Sequence, residues 1–302
     1  IDKEYDGTTD GKGASFVPGK NFSFANIIDN DQTGLSLSAG SGSYTTKNVT
    51  TNAQDVTFGS LTLTATAAGN YNLTNTSLTA QGRITPKVIT VSLTSTATKT
   101  YDGNTQADAF GSHYELQDVV SGDTVSLSEA SQQATGHYNS KNVKEATTVQ
   151  YDGIQLAGAD KGNYTLASTS VAGTGTITPK TVRTITLVSP IDKQDDDTDA
   201  AYLGNRYQLG TDLLSVDVVG LSGEGHYEDS SVGDNKAVTF QNFQLTGKDG
   251  GNYALPSGLT LSGVGNILKK TVPGENDFRA DRPQYIALNT WYHGVERSAM
   301  SE

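Results

Sequence analysis

One pattern of residues occurs three times along this chain, and that repetition limits the fold more than any other feature. The first copy opens Lys3-Glu4-Tyr5-Asp6-Gly7-Thr8 and the second Lys99-Thr100-Tyr101-Asp102-Gly103-Asn104, with Tyr5 and Tyr101 separated by 96 residues. The third opens Lys193-Gln194-Asp195-Asp196-Asp197, keeping only the Lys and the middle Asp. A second landmark is Gly-Asn-Tyr: Gly69-Asn70-Tyr71, Gly162-Asn163-Tyr164 and Gly251-Asn252-Tyr253, each followed two residues on by Leu73, Leu166 or Leu255. An aromatic residue stands twelve positions before each Asn (Phe58, Tyr151, Phe240), so the copies hold register internally. A third landmark, Gly-x-Tyr, falls at Gly42/Tyr44, Gly136/Tyr138 and Gly225/Tyr227. Repeats at such spacing define the architecture before any single residue does.

Within each copy, apolar residues alternate with Thr, Ser and Gln, the period of a pleated strand with one buried face. Apolar residues are 34% of the 302, too few for one large core and suited to small domains that each bury a thin one. We therefore expect an all-β chain. It would comprise three tandem, small, β-sandwich-like repeats (Ig-like or β-grasp-like), each an antiparallel domain, arranged head to tail as an elongated rod. The boundaries read as 1–87, 88–180 and a degenerate copy at 181–270, with 271–302 a divergent tail or the start of another module. Two copies end in Thr-Pro-Lys and run at once into Val88-Ile89-Thr90-Val91 and Val182-Arg183-Thr184-Ile185, with no Gly/Ser linker. Proline stiffens such a junction. Three strand-length domains would reach on the order of 100 Å.

One parity break recurs. Phe58 and Leu61 are three apart, with Gly59-Ser60 between them, as Asp152-Gly153 and Gln241-Asn242 separate their counterparts. Such a gap is a tight turn or a β-bulge that re-aims the strand. Gly-Asn-Tyr reads as a turn entering a strand, its Tyr buried and obliged to find a hydroxyl partner. Tyr-Asp-Gly reads as a turn supported by the Asp side chain. A group recurring once per domain is structural rather than catalytic.

The remaining features are mostly exclusions. There is no Cys, which rules out disulfides and thiolate chemistry. A net charge of −12 repels phosphate backbones and argues against a nucleic-acid partner. No apolar run is long enough to span a bilayer. No HExxH or G-x-S-x-G pattern occurs, and the chain reads as no enzyme. No cofactor is called for. Calcium would suit only the acidic run Asp195, Asp196, Asp197, Asp199, for which a solvated loop is the plainer reading. The tail holds three of the six Arg and the single Trp, making Arg282, Tyr285, Trp291 and Tyr292 the candidate ligand-contacting residues.

Taken in order, Lys-x-Tyr-Asp-Gly-x-Thr, Gly122-Asp123, Asn163-Tyr164-x-Leu166 and Ile177-Thr178-Pro179-Lys180 resemble the YDG repeat of bacterial surface and secreted proteins. That repeat is common in filamentous-haemagglutinin-like exoproteins exported by two-partner secretion. The likeness covers roughly residues 1–270. In the first copy Asn30-Asp31 replaces Gly-Asp, and the third lacks Tyr-Asp-Gly and the Pro. The resemblance implies a module of a long adhesin at the cell surface or secreted. Its partners would be neighbouring domains, an outer-membrane secretion protein and a host-cell or matrix ligand. The expected function is a structural stalk that projects adhesive parts. The alternative is an adhesive module that itself binds a host glycan, matrix protein or biofilm polysaccharide.

Overall fold

A computed structural model describes residues 1–11, 22–40 and 42–271. Its secondary structure is strands joined by short 3-10 turns, with one four-residue helix, Glu129–Gln132. No helix among the described residues is long and apolar enough to cross a membrane. The chain divides into two compact units, Ile1–Thr178 with repeats 1 and 2, and a second beginning at Pro179 with repeat 3.

Four strands recur in the main sheet of every repeat. An opening strand (Asp2–Glu4, Ala97–Thr100, Lys193–Gln194) lies beside the closing strand (Leu78–Thr85, Val171–Thr178, Leu261–Leu268). Next comes the phased strand (Gln54–Phe58, Thr148–Tyr151, Gly233–Thr246), then the strand that ends in the Gly-x-Tyr landmark (Gly42–Tyr44, Gly136–Tyr138, Gly220–Tyr227). The inner pairs are antiparallel, but opening and closing strands pair parallel in all three copies. The expectation of purely antiparallel domains is thus corrected to mixed sheets. A parallel pair needs a long crossover, and here almost the whole repeat supplies it.

The phased strand explains two landmarks. Val56 and Phe58, Val149 and Tyr151, and Val238 and Phe240 are all buried. Their rings lie across the partner strand's glycine: a Cβ on Gly42, Gly136 or Gly225 would come within 2.3, 2.5 or 2.2 Å of the Phe58, Tyr151 or Phe240 ring. Only glycine leaves room there, hence Gly-x-Tyr. At the parity break, Ser60, Gly153 and Asn242 all adopt positive φ (54°, 74°, 54°). In repeat 3 the strand runs through the break, with a register slip opposite Ser222 and Glu224. In repeats 1 and 2 it ends and resumes as Thr62–Thr64 and Leu156–Ala157, paired in a second sheet. In repeats 1 and 2 the break hands the strand from one sheet to another, and in repeat 3 it is a bulge within a single sheet.

In repeat 2 a lead strand, Lys87–Leu93, lies between Tyr164–Leu166 (parallel) and Tyr114–Gln117 (antiparallel). In repeat 3 the lead strand is split into Lys180–Thr181 and Ile185–Leu187, paired with Tyr253–Ala254 and Tyr207–Leu209. The cores of repeats 1 and 2 are not separate. Tyr5, Tyr44, Val56, Phe58 and Ile84 of the first belong to one buried cluster with Ile89 and Tyr164 of the second. The expectation that each copy buries its own thin core is therefore corrected for this unit. Small modules with little apolar surface gain burial by sharing it across the junction.

Candidate functional site

The motif residues assemble into two constellations. The first is a lysine cradle at each opening turn. Lys3 Nζ donates to Asp6 Oδ1 at 2.7 Å and to the carbonyls of Thr8 and Asp10 at 2.8 Å each. Lys99 repeats this with Asp102 (2.7 Å) and the carbonyls of Asn104 and Gln106. Lys193 repeats it with Asp196 (2.6 Å) and the Thr198 carbonyl. Each ammonium also lies 5.5–5.6 Å from a Tyr ring centroid, over Tyr44, Tyr138 and Tyr227, a favourable cation–π placement. The Asp closes the turn as well: Asp6 Oδ1 accepts from the Thr8 amide and hydroxyl. Bonds from Lys193 and Thr198 hold the Asp196 carboxyl down at about 2. For Asp6 and Asp102 burial works upward, and the Lys and turn bonds outweigh it, so both sit below the usual carboxylate range. The third copy keeps the Lys and middle Asp because these two form the cradle.

These bonds account for the acidic run. Asp196 is held by Lys193, Asp195 Oδ1 accepts from the Asp197 amide, and Asp199 lies 3.4 Å from His226. No group of three or more His, Cys, Asp or Glu placed to hold a metal ion occurs among the described residues, these four Asp included. Arg282, Tyr285, Trp291 and Tyr292 lie outside the described residues.

The second constellation joins repeat 1 to repeat 2. Where the opening strand ends, the Tyr5 amide donates to Thr85 O (2.9 Å) and its side chain is almost fully buried. The Tyr5 hydroxyl donates to Asp123 Oδ2 at 2.7 Å. The Tyr164 hydroxyl donates to the same oxygen at 2.6 Å and accepts from the Val120 amide at 3.0 Å. The two rings meet edge to face, centroids 5.4 Å apart. Lys47 approaches Asp123 Oδ1 at 3.6 Å, and the Asp123 side chain is only 4% exposed. Beside this cluster the Asn163 side chain accepts from the Val49 amide (2.9 Å) and donates to Asn48 Oδ1 (3.2 Å).

The electrostatics follow from this geometry. Burial, then the Asp123 bond, raises both phenols, Tyr164 to about 12 and Tyr5 further. Burial would raise Asp123 too, but the bonds from Tyr164 and Tyr5 and the charge of Lys47 hold it below its usual value. The stable form is one carboxylate with two neutral phenols, and the acceptor oxygen facing them is fully used.

Half of this joint recurs in each repeat. Tyr71 donates to Asp31 at 2.9 Å and Tyr253 to Asp217 at 2.7 Å. In each case the hydroxyl also accepts from the amide three residues before the Asp, Ile28 or Leu214. Asp160 and Asp249, just before Gly-Asn-Tyr in repeats 2 and 3, accept from the Thr124 and Val218 amides that follow the aspartate; Ala67 stands there in repeat 1.

A model of the YDG domain matches three segments of the chain, 1–79, 85–171 and 178–260. The chain belongs to the YDG domain family. A comparison with curated proteins found no match. Between repeats 1 and 2, the YDG Tyr of the first and the Gly-Asp aspartate and Asn-Tyr pair of the second are parts of a single joint. The sequence shows these pieces but not their meeting. No fixed spacing marks the aspartate as the partner, because its distance to the Tyr varies, 40, 41 and 36 residues, across loops of different length.

Proposed function

We propose that this chain is a non-catalytic spacer, a run of YDG repeats in the stalk of a secreted or surface-attached bacterial adhesin of the filamentous-haemagglutinin-like kind. The observation that carries the reading is the Tyr5–Asp123–Tyr164 joint, which spends the motif's polar side chains on fastening one repeat to the next. The Lys cradle does the same within each repeat. A site for a substrate would leave some of these groups pointing outward. Spacers need joints that resist bending and a surface that resists association, and the net charge of −12 suits the second need. In this role the partners are flanking modules of the same exoprotein and the outer-membrane protein that exports it.

Small-angle scattering on the purified chain tests the reading. A compact chain of this length has a radius of gyration of roughly 19 Å. A stalk segment on the order of 100 Å long gives about 30 Å. The compact value would sink the spacer. A panel of glycans and matrix proteins forms the second arm: binding there would favour the adhesive module, and silence the spacer.

A further inference from the structure

Each repeat buries the tyrosine of Gly-x-Tyr, but the three hydroxyls are not used alike. Tyr44 donates to the Ile1 carbonyl at 2.9 Å and Tyr227 to the Ile191 carbonyl. Tyr138 is as buried, at 4% exposure, yet its hydroxyl makes no hydrogen bond among the described residues. It opens into a cavity of about 280 Å³ whose walls also include Thr96, Thr98, Asp108, Phe110 and His113. In repeat 3 bulkier residues hold the equivalent place. Ile191 stands there where repeat 2 has Ala97. Arg206 stands where repeat 2 has His113, since their carbonyls accept from the matching lead-strand amides of Val188 and Thr94. The Arg206 guanidinium reaches back to the Pro190 carbonyl at 2.8 Å. The wall in repeat 2 is held from behind. The Tyr151 hydroxyl donates to the Asp108 carbonyl at 2.9 Å, and the Tyr151 and Phe110 rings meet edge to face with centroids 4.8 Å apart.

We propose that this pocket of repeat 2 is a site for one neutral ring sugar, bonded by the Tyr138 hydroxyl and the Asp108 carboxylate and resting its C–H face on Phe110. The chemistry of the wall selects that ligand. Sugar hydroxyls donate and accept at once, and they match a wall that offers a phenol, a carboxylate and an imidazole beside an aromatic ring. Burial, then the neighbouring Tyr151 and Asp108, raises the Tyr138 phenol, so it stays a neutral group able to donate and to accept. An anion would meet Asp108 in a chain of net charge −12. An ammonium ligand would meet the Lys99 ammonium, already 5.6 Å from the Tyr138 ring centroid. The volume lies just below the roughly 300–1,000 Å³ of sites for larger small molecules, which limits the occupant to a single ring. A ligand so small on an open site binds with a Kd on the order of 1 mM. That is too weak for retention on a glycan panel, so the pocket goes beyond the spacer reading without replacing it.

The test titrates the full chain with glucose, galactose, mannose and N-acetylglucosamine to tens of millimolar, reading amide chemical shifts. Glucuronate and ethylamine serve as the anionic and cationic controls. The expected result is saturable shifts at Asp108–His113 and Tyr138 with at least one neutral sugar and with neither control. Tyr138→Phe should weaken that binding about fivefold while leaving the melting temperature unchanged, because the hydroxyl holds nothing within the protein. Tyr227→Phe, which removes a bonded hydroxyl, should lower it. Ala97→Ile should abolish binding by placing in the pocket the side chain that repeat 3 has there. Methyl glycosides separate the sources: their binding supports a residue at the end of a glycan, and binding of the free sugars alone supports a free monosaccharide. No shift with any of the four sugars overturns the proposal. So does binding that Tyr138→Phe and Ala97→Ile both leave intact, or preference for either charged control. A compact chain in scattering that still binds the sugar would refute the spacer alone, and an extended chain without the shifts would refute the pocket alone.

Discussion

The Tyr5 hydroxyl and the Asp123 carboxylate, 118 residues apart in the chain, meet at 2.7 Å in the joint between two repeats. Asp123 is acceptor to two buried phenols at once, so removing it strands both. Hydrogen bonds to a charged group contribute about 1.5–3 kcal/mol, and unpaired buried donors cost more than the bond alone. Asp123→Ala should destabilise the Ile1–Thr178 unit by about 2–4 kcal/mol. Tyr5→Phe, which leaves Tyr164 bound to Asp123, should cost about 1–2 kcal/mol. Denaturant unfolding of both variants checks the order. Equal losses would mean that the joint does not act through the shared carboxylate.

Gly7 carries two constraints that a double-mutant cycle can separate. Its φ is +79°, and a Cβ there would lie 2.7 Å from Val120 Cγ1 of the next repeat. Gly7→Ala should cost about 1–2 kcal/mol from the left-handed backbone alone, with the clash added. Trimming the neighbour in Gly7→Ala/Val120→Ala should recover the clash part, giving a coupling of about 0.5 kcal/mol or more. Strict additivity would place the whole cost in the turn and none in the joint.

The joint should also set the pH limits of the first unit. A phenol whose folded value is raised contributes stability that is complete below the unfolded value of 10.0 and is lost as pH rises through the folded value, about 12 for Tyr164. Asp123 is shifted the other way, so its contribution is present above 3.8 and fades as pH falls through the lower folded value. Stability of the unit should thus be flat between about pH 4 and 10 and fall on both sides. Tyrosinate absorbance followed with circular dichroism tests the alkaline limb. Early ionisation of Tyr164, without loss of structure, would contradict the assignment.

Much of this was legible because strand period and turn chemistry are local. The alternation around Val56 and Phe58 gives the buried face, and the Gly59-Ser60 gap announces a turn or bulge before the second sheet is known. What the sequence hid was pairing over distance. Nothing in Asp2–Glu4 says that it lies parallel to Arg83–Thr85, since both orientations bury the same side chains. Nothing near Asp123 names Tyr5 as its partner. Lys3, which the sequence shows only as a recurring residue of the opening motif, is the centre of the turn's hydrogen bonds, a role that only the folded loop reveals.

The acidic turn of repeat 3 gives a last test, because its four Asp do different things. Asp197 sits at φ 64°, where Gly7 and Gly103 sit at 79° and 83°. Among the described residues its carboxylate reaches only Lys270, at 3.4 Å between two exposed side chains, and such a pair contributes little. The backbone strain is therefore uncompensated, and Asp197→Gly should stabilise the second unit by up to about 1 kcal/mol. Lys193→Met should do the opposite, since it strips the Asp196 carboxylate and the Thr198 carbonyl of their shared donor. Melting curves with calcium and with a chelator complete the argument. A turn held by Lys193 gives the same ranking in both. A turn held by calcium makes Asp197→Gly destabilising when the ion is present, and that reversal would refute the lysine-centred account.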